Sequence, residues 1–494
     1  VMLPKGMRSV VVAVVLLMVS APLSGCFGDE PEEPDEVDGF DFADLCPWGI
    51  ANNTWYHYSN ATDATKVSGE LNGTSFLVGN NAPSCAIGTY YGVGMTTFEP
   101  TIGVTSSDNL YMSSYGNGVG GSTAIVRCSG LIGMVNISDY DCVDVYAPPL
   151  IPVVNSNDPY VYVDPWTDRI MKFDMHALTA MTVETSDDEG ETWSLLPTPA
   201  TGTSVQDHQT IASSPYPTPF HPTTWVFCIN GNWQSPLCSS SFDGGITWTQ
   251  QVPGAPLNCG SGGLTGHIMG SENGNFYRGN RGCDGGEGYS IYRSTDGGLT
   301  WTEHPLPTET TGTAETWNFE EAQVYPDSED NVHAMWMGSD NMPYYSYSMD
   351  EGDTWSSPMM VAPPIGLNGT GFPVIAAGGP GQVALGYLGD SGGDTWNGYL
   401  TVISDAFSPM PLMTTVQVNG WGDPLDTSED CGFNRCGGFG DFNDIIIDQH
   451  GRAWFGLAHN VGGEIGIFGT MAIGPSLRGN GTLTEIPLGG PGTL

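Results

Sequence analysis

Residues 186–193 (SDDEGETW), 241–248 (SFDGGITW), 294–301 (STDGGLTW) and 348–355 (SMDEGDTW) decide the fold of this chain. All four read Ser-x-Asp-x-Gly-x-Thr-Trp. The fixed positions are Ser186, Asp188, Gly190 and Trp193; Ser241, Asp243, Gly245 and Trp248; Ser294, Asp296, Gly298 and Trp301; Ser348, Asp350, Gly352 and Trp355. The aspartates fall 55, 53 and 54 residues apart. Such a period marks a supersecondary unit repeated along the chain. The chemistry within each unit is that of a tight hairpin. Asp and Ser accept backbone N–H groups of the turn, Gly takes a conformation barred to other residues, and Trp is expected to cover the hairpin with its apolar face.

The motif resembles the Asp-box, or bacterial neuraminidase repeat, of sialidase-like β-propellers. That likeness implies an all-β ring of four-stranded blades, with each box between the two outer strands and away from the functional face. The rest of the chain supports an all-β reading. It has 69 Gly and 36 Pro, and its short β-branched and aromatic runs are broken by turn residues, with no sustained helical stripe beyond the first twenty-five or so positions. Seven runs open first strands: Glu99-Pro100, Asp158-Pro159, Asp207-His208, Gly266-His267, Glu320-Glu321, Phe372-Pro373 and Asn443-Asp444. Seven blades are therefore favoured, with six the alternative because several boxes are weak. Residues 389–396 (GDSGGDTW) read as a degenerate box.

The amino terminus reads as an address. Met7 and Arg8 precede an apolar stretch from Val10 to Val19, and Leu23-Ser24-Gly25-Cys26 resembles a lipoprotein lipobox. Residues 1–25 are thus expected to be a signal peptide, with Cys26 lipidated and the chain held at the cell surface. The acidic, Pro-rich residues 26–45 form a tether that cannot bury apolar area. Residues 46–97 cap the ring or supply its closing strand, a role for which residues 482–488 also compete, and 98–494 form the propeller. Besides Cys26 there are ten cysteines, an even number suited to an oxidising exterior. Neighbours along the chain pair as Cys46–Cys85, Cys128–Cys142, Cys228–Cys238, Cys259–Cys283 and Cys431–Cys436. The formal net charge of −43 disfavours nucleic acid as a partner. A monomer binding extracellular carbohydrate or another polymer is expected.

First strands line a propeller's channel, so their opening residues converge on one mouth. Asp207, His208, His267, Glu320 and Glu321 are the candidate polar centre, with Glu99, Asp158 and Asp444 around it. Crowded carboxylates there would raise one another's pKa values or recruit a divalent cation, the one cofactor the sequence suggests. A sialidase further needs three arginines on the substrate carboxylate, a Tyr–Glu nucleophile pair and an acid. The Arg-Ile-Pro signature of that family is missing, and only Arg278 and Arg281 look available for a site. Trp166, Trp225, Trp233, Trp317 and Trp396 are candidate sugar platforms. A surface-tethered glycan-binding propeller is the first expectation. A glycoside hydrolase or polysaccharide-acting enzyme using channel-mouth carboxylates and histidines is the alternative.

Overall fold

The computed structural model describes residues 54–58, 69–70, 86–116, 122–146, 158–176, 180–194, 198–200, 206–216, 218–231, 236–257, 259, 266–283, 288–308, 322–361, 367–392, 395–409, 411–420, 422–427, 443–479 and 481–494. The signal, the tether, Cys26, Cys46, Cys85, Cys431, Cys436, Glu320, Glu321, Trp233 and Trp317 lie outside them. Among the described residues the only helical turn is Pro491–Thr493, and everything else is strand, turn or loop.

The strands fall into seven four-stranded antiparallel groups, numbered here along the chain. Group 1 is Ile102–Val104, Leu110–Tyr115, Thr123–Ser129 and Asp141–Asp144, and group 2 is Pro159–Val163, Ile170–His176, Ala180–Ser186 and Thr198–Ala200. Group 3 is Gln206–Ser214, Thr224–Gly231, Pro236–Ser241 and Val252–Pro253; group 4 is Met269–Gly270, Phe276–Arg281, Tyr289–Ser294 and Thr302–Pro305. Group 5 is Gln323–Pro326, Val332–Met337, Pro343–Ser348 and Met359–Met360. Group 6 is Gly369–Ala377, Val383–Asp390, Trp396–Ile403 and Leu412–Gln417, extended outward by Thr54–Tyr58 and Gly69–Glu70.

Group 7 takes Asp444–Ile447, Ala453–His459 and Ile465–Ile473 from the carboxy-terminal part and Ile87–Thr96 from the amino-terminal part. The strand that completes it is therefore Ile87–Thr96. Among the described residues 482–488 form no strand; they add the Pro475–Thr482 bridge, two backbone bonds, and carbonyls that accept from Tyr91 and Arg452. One pair, Thr96 with Tyr115, links groups 7 and 1 into a continuous eight-stranded sheet.

Apolar side chains point between neighbouring groups. Tyr111, Ile125, Val161 and Ile170 fill the space between groups 1 and 2, Phe173, Met181, Trp225 and Phe227 that between 2 and 3. Similar cores follow in order, and the last, with Leu110, Met112, Trp454 and Phe468, lies between groups 7 and 1. First strands touch first strands in the same succession, and Asp444–Ile447 touches Ile102–Val104. Radial packing of this kind is how a β-propeller buries its sheets.

All four boxes join third to fourth strands. In each, the Ser hydroxyl donates to the Asp carboxylate and accepts the Gly N–H, as in Ser186 to Asp188 at 2.9 Å and Gly190 to Ser186 at 2.9 Å. The Thr N–H and hydroxyl both donate to the Asp. The Thr hydroxyl bond leads in holding Asp188 and Asp350 below the usual carboxylate range. Gly190 and Gly298 have φ near +86°, and a Cβ on either would collide with Val145 or Val226 of the preceding group. The tryptophans reach beyond their own hairpins, although Trp301 Nε1 still donates to the Gly298 carbonyl of its own box at 3.2 Å. Trp193, Trp248, Trp301 and Trp355 pack into the core shared with the preceding group, because that is where the larger apolar surface lies.

One box reading fails. Residues 389–396 connect the second strand Val383–Asp390 to the third, Trp396–Ile403. Without the Ser and Asp that hold the motif together, Trp396 here opens the third strand instead. Three disulfides form as read: Cys128–Cys142, Cys228–Cys238 and Cys259–Cys283. The first two join residues directly opposite on adjacent strands.

Candidate functional site

First strands are sheet edges, and edge N–H groups need partners. Side chains at one register position supply them from neighbouring groups. Ile102 N–H donates to Asp444 Oδ2 at 2.9 Å, Val161 N–H to Thr101 Oγ1 at 2.8 Å and Ile268 N–H to Thr210 Oγ1 at 2.8 Å. Ile211 N–H bonds the Tyr160 hydroxyl, and His267 N–H donates to Gln323 Oε1 at 3.0 Å. These bonds tie group to group around the channel. The Asp444 carboxylate is thus part of the architecture, and its other oxygen accepts Ile445 N–H at 2.8 Å.

Of the five candidate residues, the structure describes the side chains of two. His208 and His267 are both buried, and His208 sits in a left-handed conformation, φ 61°, beside a register shift of the strand Gln206–Ser214. The backbone of Asp207 belongs to that strand. Glu99 is buried and Asp158 half-buried at the openings of groups 1 and 2. Among the described residues no three His, Cys, Asp or Glu side chains cluster closely enough to hold a metal ion.

A cavity of about 230 Å³ begins at the girdle and runs along the first strands. At its inner end the Tyr160 hydroxyl meets His267 Nδ1 at 3.1 Å, and Asp444 lines the same end. Tyr162, Tyr325, Ile102, Val104 and Ile446 form its walls. Burial sets the protonation here. It lowers the His267 pKa to about 3, with His208 adding to the effect and a bond to the Asn443 backbone opposing it. It raises Asp444 to about 7 against the two backbone N–H bonds, so desolvation and not crowding by other carboxylates is the cause. Burial, then the Asp444 charge, lifts the Tyr160 hydroxyl far above its usual range. Near neutral pH this end is therefore aromatic and hydrogen-bonding, with His267 and the Tyr160 hydroxyl uncharged and Asp444 about half ionised.

The other end of the cavity is built from turns that follow first strands. Trp166, Asp168, Ser106, Gln449 and Arg478 surround it. Ser106 N–H donates to Asp168 Oδ1 at 2.9 Å, and Gln449 Nε2 donates to the Ser106 carbonyl at 3.0 Å, so groups 7, 1 and 2 are linked there. Trp166 Nε1 donates to Glu272 Oε2 of group 4 at 3.3 Å. Arg478 Nε donates to the Asp448 carbonyl at 2.8 Å.

Sequence reasoning missed the tyrosines and Arg478. Tyrosine in a strand pattern looks like core filler, and Arg478 follows the last strand, where no repeat points to it. The two arginines expected to be available correct the other way for Arg278. It is fully buried, bonds the Gly254 carbonyl, and lies over Tyr292 with its CZ 4.6 Å from the ring centroid. Arg127, Arg169 and Arg293 donate to backbone carbonyls of the next group's box, at Glu189, Gly244 and Glu351. Trp225 is buried with its Nε1 on Asp164, and Trp396 is buried. Of the candidate platforms, Trp166 is the one on the cavity.

No protein-family model matches the chain, and no curated protein matches it by sequence. Solved structures do resemble it. An ulvan-degrading polysaccharide lyase, solved with a -[GlcA(1-4)Rha3S]- ligand, is 10% identical at a TM-score of 0.44, covering 81% of this chain and 98% of that one. A protein of unknown function from Dyadobacter fermentans is 14% identical at 0.40, covering 79% and 98%. The fucose-binding six-bladed lectin of Aleuria aurantia is 10% identical at 0.37, covering 62% and 93%. Likenesses this distant carry nothing about the present chain's ligand.

Proposed function

We propose that this protein is an exported, seven-bladed propeller that binds carbohydrate at the Trp166 end of its channel. The blade count rests on the seven four-stranded groups, the seven cores between them and the return of the last first strand to the first. Export is supported by three disulfides, which persist in oxidising compartments. The observation that carries the binding function is the cavity itself. It presents aromatic faces, hydrogen-bonding side chains including two carboxyls, and one guanidinium. A pyranose needs this combination, with its C–H face on an indole and its hydroxyls on Asp168, Gln449 and Arg478. Immobilised glycans probed with the mature chain test the reading. Trp166→Ala should weaken capture roughly tenfold to a hundredfold, as loss of an aromatic contact worth ~1.5–3 kcal/mol implies, without changing Tm. Unchanged capture by that variant would remove the site.

A hydrolytic reading has one observation in its favour, the Asp444 carboxyl held near pH 7. Glycosidic cleavage needs a second carboxyl about 5–9.5 Å away, and among the described cavity-lining residues only Asp168, at the far end, is another. Asp207, Glu320 and Glu321, the carboxyl candidates of the sequence, would have to supply it. Release of reducing ends from a polysaccharide panel by the mature chain would favour this reading over binding alone.

Cys26 is proposed as the lipidated residue, with 26–45 as the tether. Cys26→Ser should move the protein from the membrane fraction to the medium. A variant that stays equally membrane-bound refutes the anchor.

A further inference from the structure

Lys172 is one of three lysines in the whole sequence, and it is 1% exposed. Its Nζ lies 2.5 Å from Asp174 Oδ2 and 2.6 Å from Glu184 Oε2, and these acids are 2% and 1% exposed. Lys172 and Glu184 are directly opposite on the paired strands Ile170–His176 and Ala180–Ser186. The Tyr146 ring covers Nζ at 3.7 Å from its centroid, and its hydroxyl donates to Glu184 Oε2 at 2.9 Å. Asp174 is fully engaged, its Oδ1 accepting from Thr123 at 2.5 Å. Glu184 is not: its Oε1 is buried with no hydrogen-bond partner among the described residues.

We propose that Lys172 and Glu184 form an intramolecular isopeptide bond, with Asp174 as the proton acceptor. A nitrogen hydrogen-bonded to a carboxyl oxygen lies roughly within the 3–3.5 Å of the carboxyl carbon that a near-attack geometry needs. The Lys172 ammonium passes a proton to Asp174, and the neutral amine attacks the Glu184 Cδ. Tyr146 and Asp174 hydrogen-bond the developing tetrahedral centre, where an oxyanion is stabilised best in a dry site. One Glu184 oxygen leaves as water, carrying the proton from Asp174 and one from Nζ. Three protons on nitrogen become one amide N–H and two on water, and the net charge of −1 is conserved: it sits on Glu184 while Asp174 holds the proton and ends on Asp174. The reaction removes the unpartnered buried oxygen and replaces one buried ion pair by an amide, both of which relieve desolvation. No redox partner or cofactor is required. The product staples the second and third strands of group 2, a covalent cross-link in addition to the disulfides.

Peptide mapping of the reduced, full-length chain tests it. Chymotrypsin cuts at Phe173, between the two residues, so a bond keeps peptides carrying Lys172 and Glu184 joined and one water lighter than their sum. Asp174→Ala should leave them separate and unmodified. If the wild-type chain yields separate peptides of full mass, the proposal is wrong. A link from Lys172 to Asp174 would likewise overturn the assignment. Because the wild-type measurement decides by itself, poor folding of the variant does not blunt the test.

Discussion

Asp444→Asn should make the protein gain stability relative to wild type as pH rises from 4 to 7, and His267→Gln should make it lose stability over nearly the same window. The signs follow from the two buried groups. Asp444 has its folded pKa raised from 3.8 to about 7. Between those values the unfolded chain has released its proton and the folded one has not, so ionisation favours unfolding as pH rises. His267 has its folded pKa lowered from 6.5 to about 3. Between those values the unfolded chain holds a proton the folded one lacks, so its contribution to stability grows as pH rises to 6.5. Either displacement corresponds to about 4–5 kcal/mol. The two nearly cancel in the wild type, and removing one exposes the other. Urea unfolding of both variants and wild type at pH 4, 5.5 and 7 measures the differences. Parallel curves for all three proteins would mean that water reaches the girdle.

The second large effect is expected at Lys172. Lys172→Met leaves Asp174 and Glu184 buried with neither a cation nor the proposed cross-link, and should cost at least about 3–5 kcal/mol, the usual result of breaking a buried pair from one side. Replacing all three together, with Asp174→Asn and Glu184→Gln, should recover the part of the loss that comes from uncompensated charge, leaving only the part that the cross-link supplies. Thermal or urea unfolding reads both. A loss under about 1 kcal/mol for Lys172→Met would match a solvated surface pair and contradict the burial.

Much of the fold was legible because its repeating element is local. The Ser, Asp, Gly and Thr of each box bond within five residues of one another, so the sequence carries the geometry intact. The same holds for Cys128–Cys142 and Cys228–Cys238, which join facing residues of a hairpin. Legibility ended where contacts are long-range. Ile87–Thr96 pairs with a strand nearly the whole chain away, and no local signal distinguishes it from residues 482–488. The boxes' tryptophans were read locally too, although their partners belong to the preceding group.

The site was less legible for a related reason. Charged residues at strand openings stand out in sequence, yet Asp444 spends its carboxylate on backbone N–H groups that no sequence pattern displays. The cavity's character comes from Tyr160, Tyr162, Tyr325 and Trp166, contributed by two different groups. Aromatic residues of the same kinds fill the cores between groups, so only their position on the channel distinguishes them. Arginines were similarly ambiguous: three reach box carbonyls, one is buried between aromatic rings, and the one at the channel mouth follows the last strand.

The most direct test of carbohydrate binding at the channel is a crystal structure of the mature protein with an oligosaccharide captured from a glycan array. The sugar is expected with one ring against the Trp166 indole and its hydroxyls within hydrogen-bonding reach of Asp168, Gln449 or Arg478. A sugar held away from Trp166, or seated between outer strands off the channel, would contradict the account.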